Sequence, residues 1–478
     1  MQLTPPRRGR IAQALGLLTA NLLAATCAQA QALSPAADAP PDAAAPRVGV
    51  NDDTQSDVGL TRLNAAVLFY SESGGRVKAT EPVVSVTVNG SSGAVLTGRF
   101  TVDTLTGATP NGAAPWTGPQ TFTTPAHAPG TTATVTGSSG GSTLVTIPGT
   151  GTVARQYVTP ANTLPVDAGF RDLRTAVDLG YATPVWDGGR LSFGGSASTE
   201  RDYRSYSGNA GLSQDFNQHN TTASISAEFE YDRSNPFFGT PTPFTVMSAD
   251  AKGPARTKTV TSAVLGVTQV VNRYWLAQLN YTVGESNGYQ TDPYRVLSVV
   301  DSVTGAPSQY LYENRPGSRL RQSVYFGNKV AWGPTVTDAS VRFYHDSWGV
   351  NSVTAELSER VPVVSWLYVE PLARYYSQTA ANFFRDYLIA GQPLPAFASS
   401  DSRLGKFQAQ TYGLKVGIPI TGHSEFDIPS SEVYFQVQDY KQTGSAQPGG
   451  VVPGLAHENF FSGVQAVSVF AGWTMAFY

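Results

Sequence analysis

Charged side chains in this sequence recur at every second position of short segments, and the residues between them are apolar. In one such segment Asp172, Arg174 and Asp178 alternate with Leu173 and Leu179. Successive side chains of a β-strand point to opposite faces, so this spacing predicts one charged and one apolar face. Charges of both signs on a shared face can form salt bridges, or they can set the ion selectivity of a pore.

The same alternation, followed along every strand-length segment, gives a set of candidate site residues. If these strands form a membrane barrel, the charges belong in its interior, because an Arg or Lys on the lipid side costs about 2–4 kcal/mol at the midplane. Two interpretations stay open, namely rings of charge in a water-filled pore and a salt-bridge lattice that fills the barrel. The predicted lumen-lining residues are Arg99, Asp103, Asp172, Arg174, Asp178, Glu200, Asp202, Arg204, Glu228, Glu230, Arg319, Arg321, Lys329, Arg342, Asp346, Glu370, Arg374 and Lys415.

Catalytic and metal-binding patterns are weak by comparison. His345 and Ser347 share a strand face, but the alternation puts Asp346 on the opposite one. A serine nucleophile needs a base within hydrogen-bond reach and a site that stabilises an oxyanion, and no such site is evident. The five histidines are dispersed, and none has metal-ligand spacing. We therefore predict no enzymatic activity, no cofactor and no metal.

The last strand-length segment, 464–478, indicates which elements position these charges. Ser468, Gly472 and Thr474 form a small or polar face, on which the apolar Phe470 is an exception. The residues between them form an apolar face. The apolar face consists of Val467, Val469, Ala471, Trp473, Met475 and Phe477. Such a C-terminal strand is typical of an outer-membrane barrel. Charged residues make up only 14% of the chain, against about 25% in average soluble proteins.

Short turns and long connections alternate along the chain. Turns are predicted at 187–189, 217–220, 272–273 and 333–334, and outer-membrane barrels combine short periplasmic turns with longer extracellular loops. The fold class is therefore all-β, a transmembrane antiparallel up-and-down barrel of about 16 strands, with a range of roughly 14–18. We predict that it occupies 59–478 and carries a long external loop, 105–168.

The beginning of the sequence resembles an export signal. Arg7, Arg8 and Arg10 precede an apolar stretch and an Ala28-Gln29-Ala30 cleavage site, so residues 1–30 are predicted to be a signal peptide. Residues 31–58, rich in Ala, Pro and Asp, are predicted to form a flexible periplasmic leader. Without the three signal arginines the chain has 29 basic and 35 acidic residues, a balance that argues against nucleic-acid binding.

Several ordered blocks carry a resemblance to a known family. They are 102–108 with 110–112, 215–217 with 220–222, 292–299, 312–316, and 370–371 with 374–376. From about residue 60 to the end the chain resembles an uncharacterised family of proteobacterial outer-membrane proteins, domain of unknown function 3570. The resemblance implies an outer-membrane barrel and implies no activity. The Gly/Ser/Thr-rich run 131–152 departs from the family pattern as an insertion.

These patterns predict a protein of the bacterial outer membrane. The leading hypothesis is a porin-like channel for passive diffusion of small solutes, because barrels of 16–18 strands can enclose water. The alternative is a structural or docking barrel with a filled lumen that engages a periplasmic or surface partner. The expected partners are outer-membrane lipid, the barrel-assembly machinery and small solutes, with no nucleic acid. The sequence leaves the oligomeric state open.

Overall fold

A computed structural model describes residues 61–90, 92–125, 143–146, 153–236, 239–247, 253–420 and 431–477. The predicted signal peptide and leader, and most of the inserted run 131–152, lie outside the described residues. Within these ranges no helix is both long and apolar enough to cross a membrane.

The described chain is almost entirely β-structure. Its strands are β1 (Thr61–Glu72), β2 (Lys78–Asn89), β3 (Val95–Pro110), β4 (Gln120–Pro125), β5 (Thr143–Thr146), β6 (Val153–Thr159), β7 (Val166–Trp186), β8 (Gly189–Thr199), β9 (Tyr203–Phe216), β10 (Thr221–Ser234), β11 (Arg256–Asn272), β12 (Trp275–Gly288), β13 (Val296–Val300), β14 (Pro307–Tyr312), β15 (Ser318–Trp332), β16 (Thr335–Asp346), β17 (Asn351–Val364), β18 (Leu367–Gln378), β19 (Leu388–Ile389), β20 (Phe407–Ile420), β21 (Ser431–Thr443) and β22 (Gln465–Phe477). Single 3-10 turns occur at Ser73–Gly75, Ser402–Leu404 and Pro453–Leu455.

Sixteen of these strands form a closed antiparallel barrel. The order is β1-β2-β3-β7-β8-β9-β10-β11-β12-β15-β16-β17-β18-β20-β21-β22, and β22 pairs with β1 from Thr61↔Phe477 to Glu72↔Ala466. Closure leaves no unpaired sheet edge, as a membrane-spanning sheet requires. The predicted fold class and the count of about sixteen strands are confirmed.

The outer face of the barrel carries a belt of large apolar side chains. Leu179 is 62% exposed and Phe229 is 53% exposed, as expected for side chains that meet lipid. Exposed aromatic residues form a girdle beside the short turns, consisting of Trp186, Phe216, Tyr274, Trp332 and Trp366. We call this end of the barrel the turn end, and the opposite end, with the long connections, the loop end. From the general rule for outer-membrane barrels we expect the loop end to be extracellular.

The alternation that placed Glu200, Asp202 and Arg204 on one inner face does not continue along a single strand. β8 ends at Thr199, the chain turns at 200–202 with the N–H of Glu200 donating to the carbonyl of Tyr203 (2.7 Å), and β9 starts at Tyr203. A turn of this kind resets which residues face inward, because the new strand has its own alternation. Arg204 consequently shares a face with the 52% exposed Tyr206.

The long connections of the loop end pack together into what we call the cap. It comprises the described residues of 111–165, 235–255, 289–317, 379–406 and 444–464. Two small three-stranded sheets lie within it, one of order β4-β6-β5 and the other of order β14-β13-β19. β3 extends to Pro110 and β7 begins at Val166, so the connection predicted as 105–168 is shorter at both ends.

The cap spans the mouth of the barrel. The connection between β3 and β7 meets the connection between β12 and β15, where the N–H of Val296 donates to the carbonyl of Asn111 (2.9 Å). Six barrel strands, from β7 to β12, separate the roots of these two connections around the circumference. Phe122, Tyr157, Met247 and Tyr312, from three connections, share one buried cluster. Segments rooted so far apart can meet only over the lumen.

Candidate functional site

The inner face of the barrel, opposite the apolar belt, carries ion pairs between neighbouring strands. Arg374 and Glu356 approach to 2.5 Å between β18 and β17, and Lys415 and Glu432 approach to 3.1 Å between β20 and β21. The β-ladders determine which charges can meet, because Glu356 and Arg374 are register partners. Glu356 is not among the residues that the alternation selected.

Two further pairs of this kind lie nearer the turn end. Glu370 accepts from Arg360 (3.2 Å), while Lys329 and Asp338 stand 3.7 Å apart. These two pairs are more exposed than the pairs described above, and the Lys329 side chain is 59% exposed. Arg342, another predicted residue, lies with its guanidinium 5.6 Å from the ring centre of Tyr325.

A carboxylate-rich group lies on β3, β7 and the turn after β8. Arg174 approaches Asp103 to 2.5 Å. Burial, together with the nearby charge of Asp172, raises the pKa of Glu200 to about 8. Arg99 and Asp178 are register partners further along the β3–β7 pair, towards the turn end. Arg99 is exposed. The structure thus brings Asp103, Asp172, Arg174 and Glu200 together.

The most densely bonded group on the inner face surrounds Asp346. Its Oδ2 accepts from Arg319 Nε (2.8 Å) and Nη2 (2.6 Å) and from the Tyr344 hydroxyl (2.7 Å). Its Oδ1 accepts the backbone N–H groups of Trp348 (2.9 Å) and Val350 (3.0 Å). Arg319 also lies 4.3 Å from the ring centre of Trp348. One carboxylate therefore joins two strands and the tight loop between β16 and β17.

Arg321 lies beside this group but has no share in it. The side chain is buried, and its Nε and Nη2 have no hydrogen-bond partner in the part of the chain that the structure describes. Across the sheet, Lys258 pairs with Asp232 at 2.7 Å and donates to the Tyr203 hydroxyl (3.1 Å). Glu228 and Glu230, two predicted residues on β10, are buried on the same face as Asp232.

Arg204 and Asp202 do not occupy the positions that the alternation predicted. Arg204 is exposed on the outer face, and Asp202 lies in the turn 200–202, where it accepts a hydrogen bond from the Tyr294 hydroxyl of the cap. The alternation was carried past Thr199, where β8 ends, and through the turn to Arg204. That the remaining candidates line a pore stays a prediction.

The residues considered for catalysis do not form a triad. His345 Nδ1 lies 2.8 Å from Asn351 Oδ1, and the Ser347 hydroxyl accepts the N–H of Leu320 (3.0 Å). Asp346 faces the other way and is engaged as described above. No group of three or more His, Cys, Asp or Glu side chains in the described ranges is arranged to hold a metal ion.

The cap contains a second charged cluster, whose centre is buried. Arg315 Nε lies 2.6 Å from Glu313 Oε1, and Arg315 Nη2 lies 2.8 Å from Asp401 Oδ2. Arg403 reaches Asp401 at 2.5 Å and Asp292 at 3.3 Å. The cluster therefore ties the connection between β12 and β15 to the connection between β18 and β20.

The electrostatics of this cluster differ between its two buried carboxyl groups. Burial raises the pKa of Glu313, against the opposing charge of Arg315. Burial acts in the same direction on Asp401, but the guanidinium groups of Arg403, Arg295 and Arg315 outweigh it and hold its pKa well below the usual range. Asp401 is thus the ionised centre of the cluster.

The sequence blocks 292–299 and 312–316, quoted above for their resemblance, supply much of this cluster. Arg295 also donates to the carbonyl of Pro110, and the Ser399 hydroxyl donates to Glu313. Parity along a strand could not have revealed these residues, since they lie in connections. Their only signal in the sequence was a concentration of Asp, Glu and Arg within two short blocks.

Three outer-membrane proteins of known structure are similar to this chain at low sequence identity. OpdK, an outer membrane protein of Pseudomonas aeruginosa, is 8% identical with a TM-score of 0.36, and the match covers 87% of this chain and 99% of that one. The ferric enterobactin receptor PfeA of the same species is 11% identical with a TM-score of 0.37, over 81% of this chain and 55% of the receptor. A bacterial polysaccharide outer membrane secretin is 9% identical with a TM-score of 0.40, over 88% and 99%. Likenesses this distant carry no argument about the activity or the architecture of this chain.

A search of curated protein sequences gives no significant match. The closed sixteen-strand barrel, its apolar belt and its aromatic girdle are those of a protein of the bacterial outer membrane. The sequence profile described as "Protein of unknown function (DUF3570)" matches residues 22–461, nearly the whole chain. On this match the chain belongs to the DUF3570 family.

Proposed function

We propose that this protein is a porin-like channel through which small solutes diffuse passively. The observation that carries the proposal is the partial exposure of charged side chains on the inner face. Lys329 is 59% exposed and Asp338 is 29% exposed, and Arg99 is exposed as well. Small barrels are filled by their own side chains, whereas barrels of about 16–18 strands leave an aqueous channel.

The cap supplies the outer entrance of this channel. Connections from several sides of the barrel meet over the mouth, so a solute passes between them before it reaches the inner face. Charges of both signs follow along the wall, and such charges select among ions by electrostatic attraction and repulsion. No catalytic step is part of this function.

Single-channel conductance in a planar bilayer tests the proposal. The refolded chain without residues 1–30 should give reproducible steps, and a salt gradient should give a reversal potential set by the inner charges. Arg99→Glu should shift that potential towards cation selectivity. Arg204→Glu makes the same change of charge on the outer face and should leave it nearly unaltered. A folded, inserted barrel without steps would contradict the proposal.

A second candidate function is a structural or docking barrel. Its support is the close packing of the cap and of part of the inner face, where Leu68, Tyr70, Tyr434 and Phe470 form a buried apolar cluster beside the β1–β22 seam. A barrel filled in this way would present the cap as a rigid surface. Absence of conductance, together with retention of a periplasmic partner by the 31–58 leader, would favour this candidate.

A further inference from the structure

The outer face at the loop end carries two arginines directly opposite each other. Arg204 of β9 and Arg233 of β10 are register partners, and both side chains are exposed. Neither makes an ion pair or a hydrogen bond with any residue in the described ranges. Like charges directly across a sheet destabilise it, so this arrangement calls for an anion between them.

The two arginines belong to a row that continues on both sides. Thr199 of β8 is the partner of Arg204, and Thr257 of β11 is the partner of Arg233. The row Thr199–Arg204–Arg233–Thr257 therefore crosses four neighbouring strands, about 14 Å in all at the usual strand spacing. Guanidinium groups bind phosphate oxygens in a bidentate manner, and hydroxyl groups can donate beside them.

The residues below this row on the same face are those of a lipid interface. Tyr206 and Tyr231 are the next register partners towards the middle of the barrel, and they are 52% and 41% exposed. Beyond them lie Phe229, Leu212 and Ile225. Tyrosine rings mark the level where headgroups meet hydrocarbon, and the apolar residues continue into the hydrocarbon region.

We propose that the Thr199–Arg204–Arg233–Thr257 row binds a phosphate group of an outer-leaflet lipid, the phosphorylated glycolipid lipid A. The charged row matches its phosphate, and the ladder of tyrosine and aliphatic residues matches its acyl chains. That apolar continuation is why a lipid, and not free phosphate, is assigned to the site. The site is separate from the lumen, so it does not depend on whether the barrel conducts.

Native mass spectrometry of the refolded barrel, titrated with Kdo2-lipid A, tests this assignment. Arg204→Gln and Arg233→Gln should each weaken binding about fivefold, and the double variant about thirtyfold, as expected for loss of one and two basic residues at an anionic lipid surface. Arg204→Lys with Arg233→Lys keeps the charge and should retain most of the affinity. Arg273→Gln is the matched control, because Arg273 is exposed beside Tyr274 at the turn end and its loss should change binding less than twofold.

The chemistry of the lipid gives the second arm of the experiment. Kdo2-lipid A without its phosphates should bind the wild type no better than intact Kdo2-lipid A binds the double variant. Equal binding of phosphorylated and dephosphorylated lipid would overturn the proposal, as would equal losses in Arg273→Gln and the double variant. Displacement of the lipid by millimolar inorganic phosphate would show a free-phosphate site and would overturn the lipid assignment. Heat-modifiable migration on gels verifies that each variant is folded.

Discussion

At the scale of single residues, Asp346 holds more of the inner face together than any other carboxylate described above. It accepts five hydrogen bonds, from Arg319, Tyr344 and the backbone of the following loop. Its side chain is 0% exposed in the pair with Arg319. When one partner of a buried pair is removed, the other charge is left buried without compensation.

Asp346→Asn should therefore destabilise the barrel by about 3–5 kcal/mol. Urea unfolding in lipid vesicles, followed by tryptophan fluorescence, measures the change. Asp338→Asn is the control at the other end of the same strand. Its partner Lys329 is 3.7 Å away and well exposed, so the cost should be below about 1 kcal/mol. Equal costs for the two variants would contradict the structural role of Asp346.

Asp386 in the cap makes the stability of that region depend on pH. Burial raises its pKa to about 6. A folded-state pKa above the unfolded one means that the folded state binds the proton more tightly, so stability falls as pH rises from about 4 to about 6. Asp386→Asn removes this dependence and should stabilise the cap at pH 7 by about 3 kcal/mol.

Hydrogen exchange of residues 381–404 at pH 7 measures this effect. Exchange should be slower in Asp386→Asn than in the wild type. Asp301→Asn is the comparison, because Asp301 is an exposed cap residue whose carboxylate accepts from Val303 and Thr304. That variant should gain no protection. Identical exchange in the wild type and Asp386→Asn would show that Asp386 is ionised without cost.

At the scale of elements, the ends of the barrel strands control how the chain enters the cap. Gly288 closes β12 with a φ of 122°, and a Cβ there would lie 2.3 Å from the carbonyl oxygen of Thr257. Gly391 also has a positive φ, 79°, but a Cβ there would meet nothing within 4 Å. A comparison of substitutions at these two glycines therefore distinguishes the cost of backbone strain from the cost of a steric collision.

Gly391→Ala should cost about 1–2 kcal/mol, the penalty of the left-handed conformation alone. Gly288→Ala should cost clearly more, since β11 and β12 must also move apart. Urea unfolding of both variants in vesicles measures the difference. A cost for Gly288→Ala no greater than that of Gly391→Ala would mean that the strand end adapts freely.

The turn at 200–202 shows how an element boundary decides the position of a side chain. Along β7 the alternation placed Asp172, Arg174 and Asp178 on a common face without error. The same reasoning failed for Arg204, because three turn residues separate β8 from β9. The alternation of side chains along a strand is a local property that the sequence shows directly. The position of a tight turn between two polar strands has no strong local signal.

At the scale of the whole molecule, the buried cluster around Arg315 joins two connections of the cap. Arg315 bridges Glu313 and Asp401, which come from different connections. Its removal leaves two carboxyl groups buried together, and breaking such a pair costs about 3–5 kcal/mol. That is enough to open the cap locally without unfolding the barrel, because the barrel has its own closed hydrogen-bond network.

Arg315→Gln should therefore raise single-channel conductance or the open fraction in a planar bilayer. Arg385→Gln is the matched control, since Arg385 is an exposed cap arginine that donates to the carbonyls of Asn382 and Phe384. It should leave conductance unchanged. Unchanged conductance in Arg315→Gln, with the variant folded, would show that the cap does not limit passage.

The amino-acid sequence by itself determined the barrel, its approximate strand number and its membrane face. Each strand must have one apolar side and one polar side, so this information is repeated in every segment, as in β10 and β22. Which charges pair, such as Arg374 with Glu356, followed only from the register between strands. The cap was decided by tertiary structure alone, because Asp292, Glu313 and Asp401 lie far apart in the chain and meet only when connections rooted on different sides of the barrel fold over its mouth.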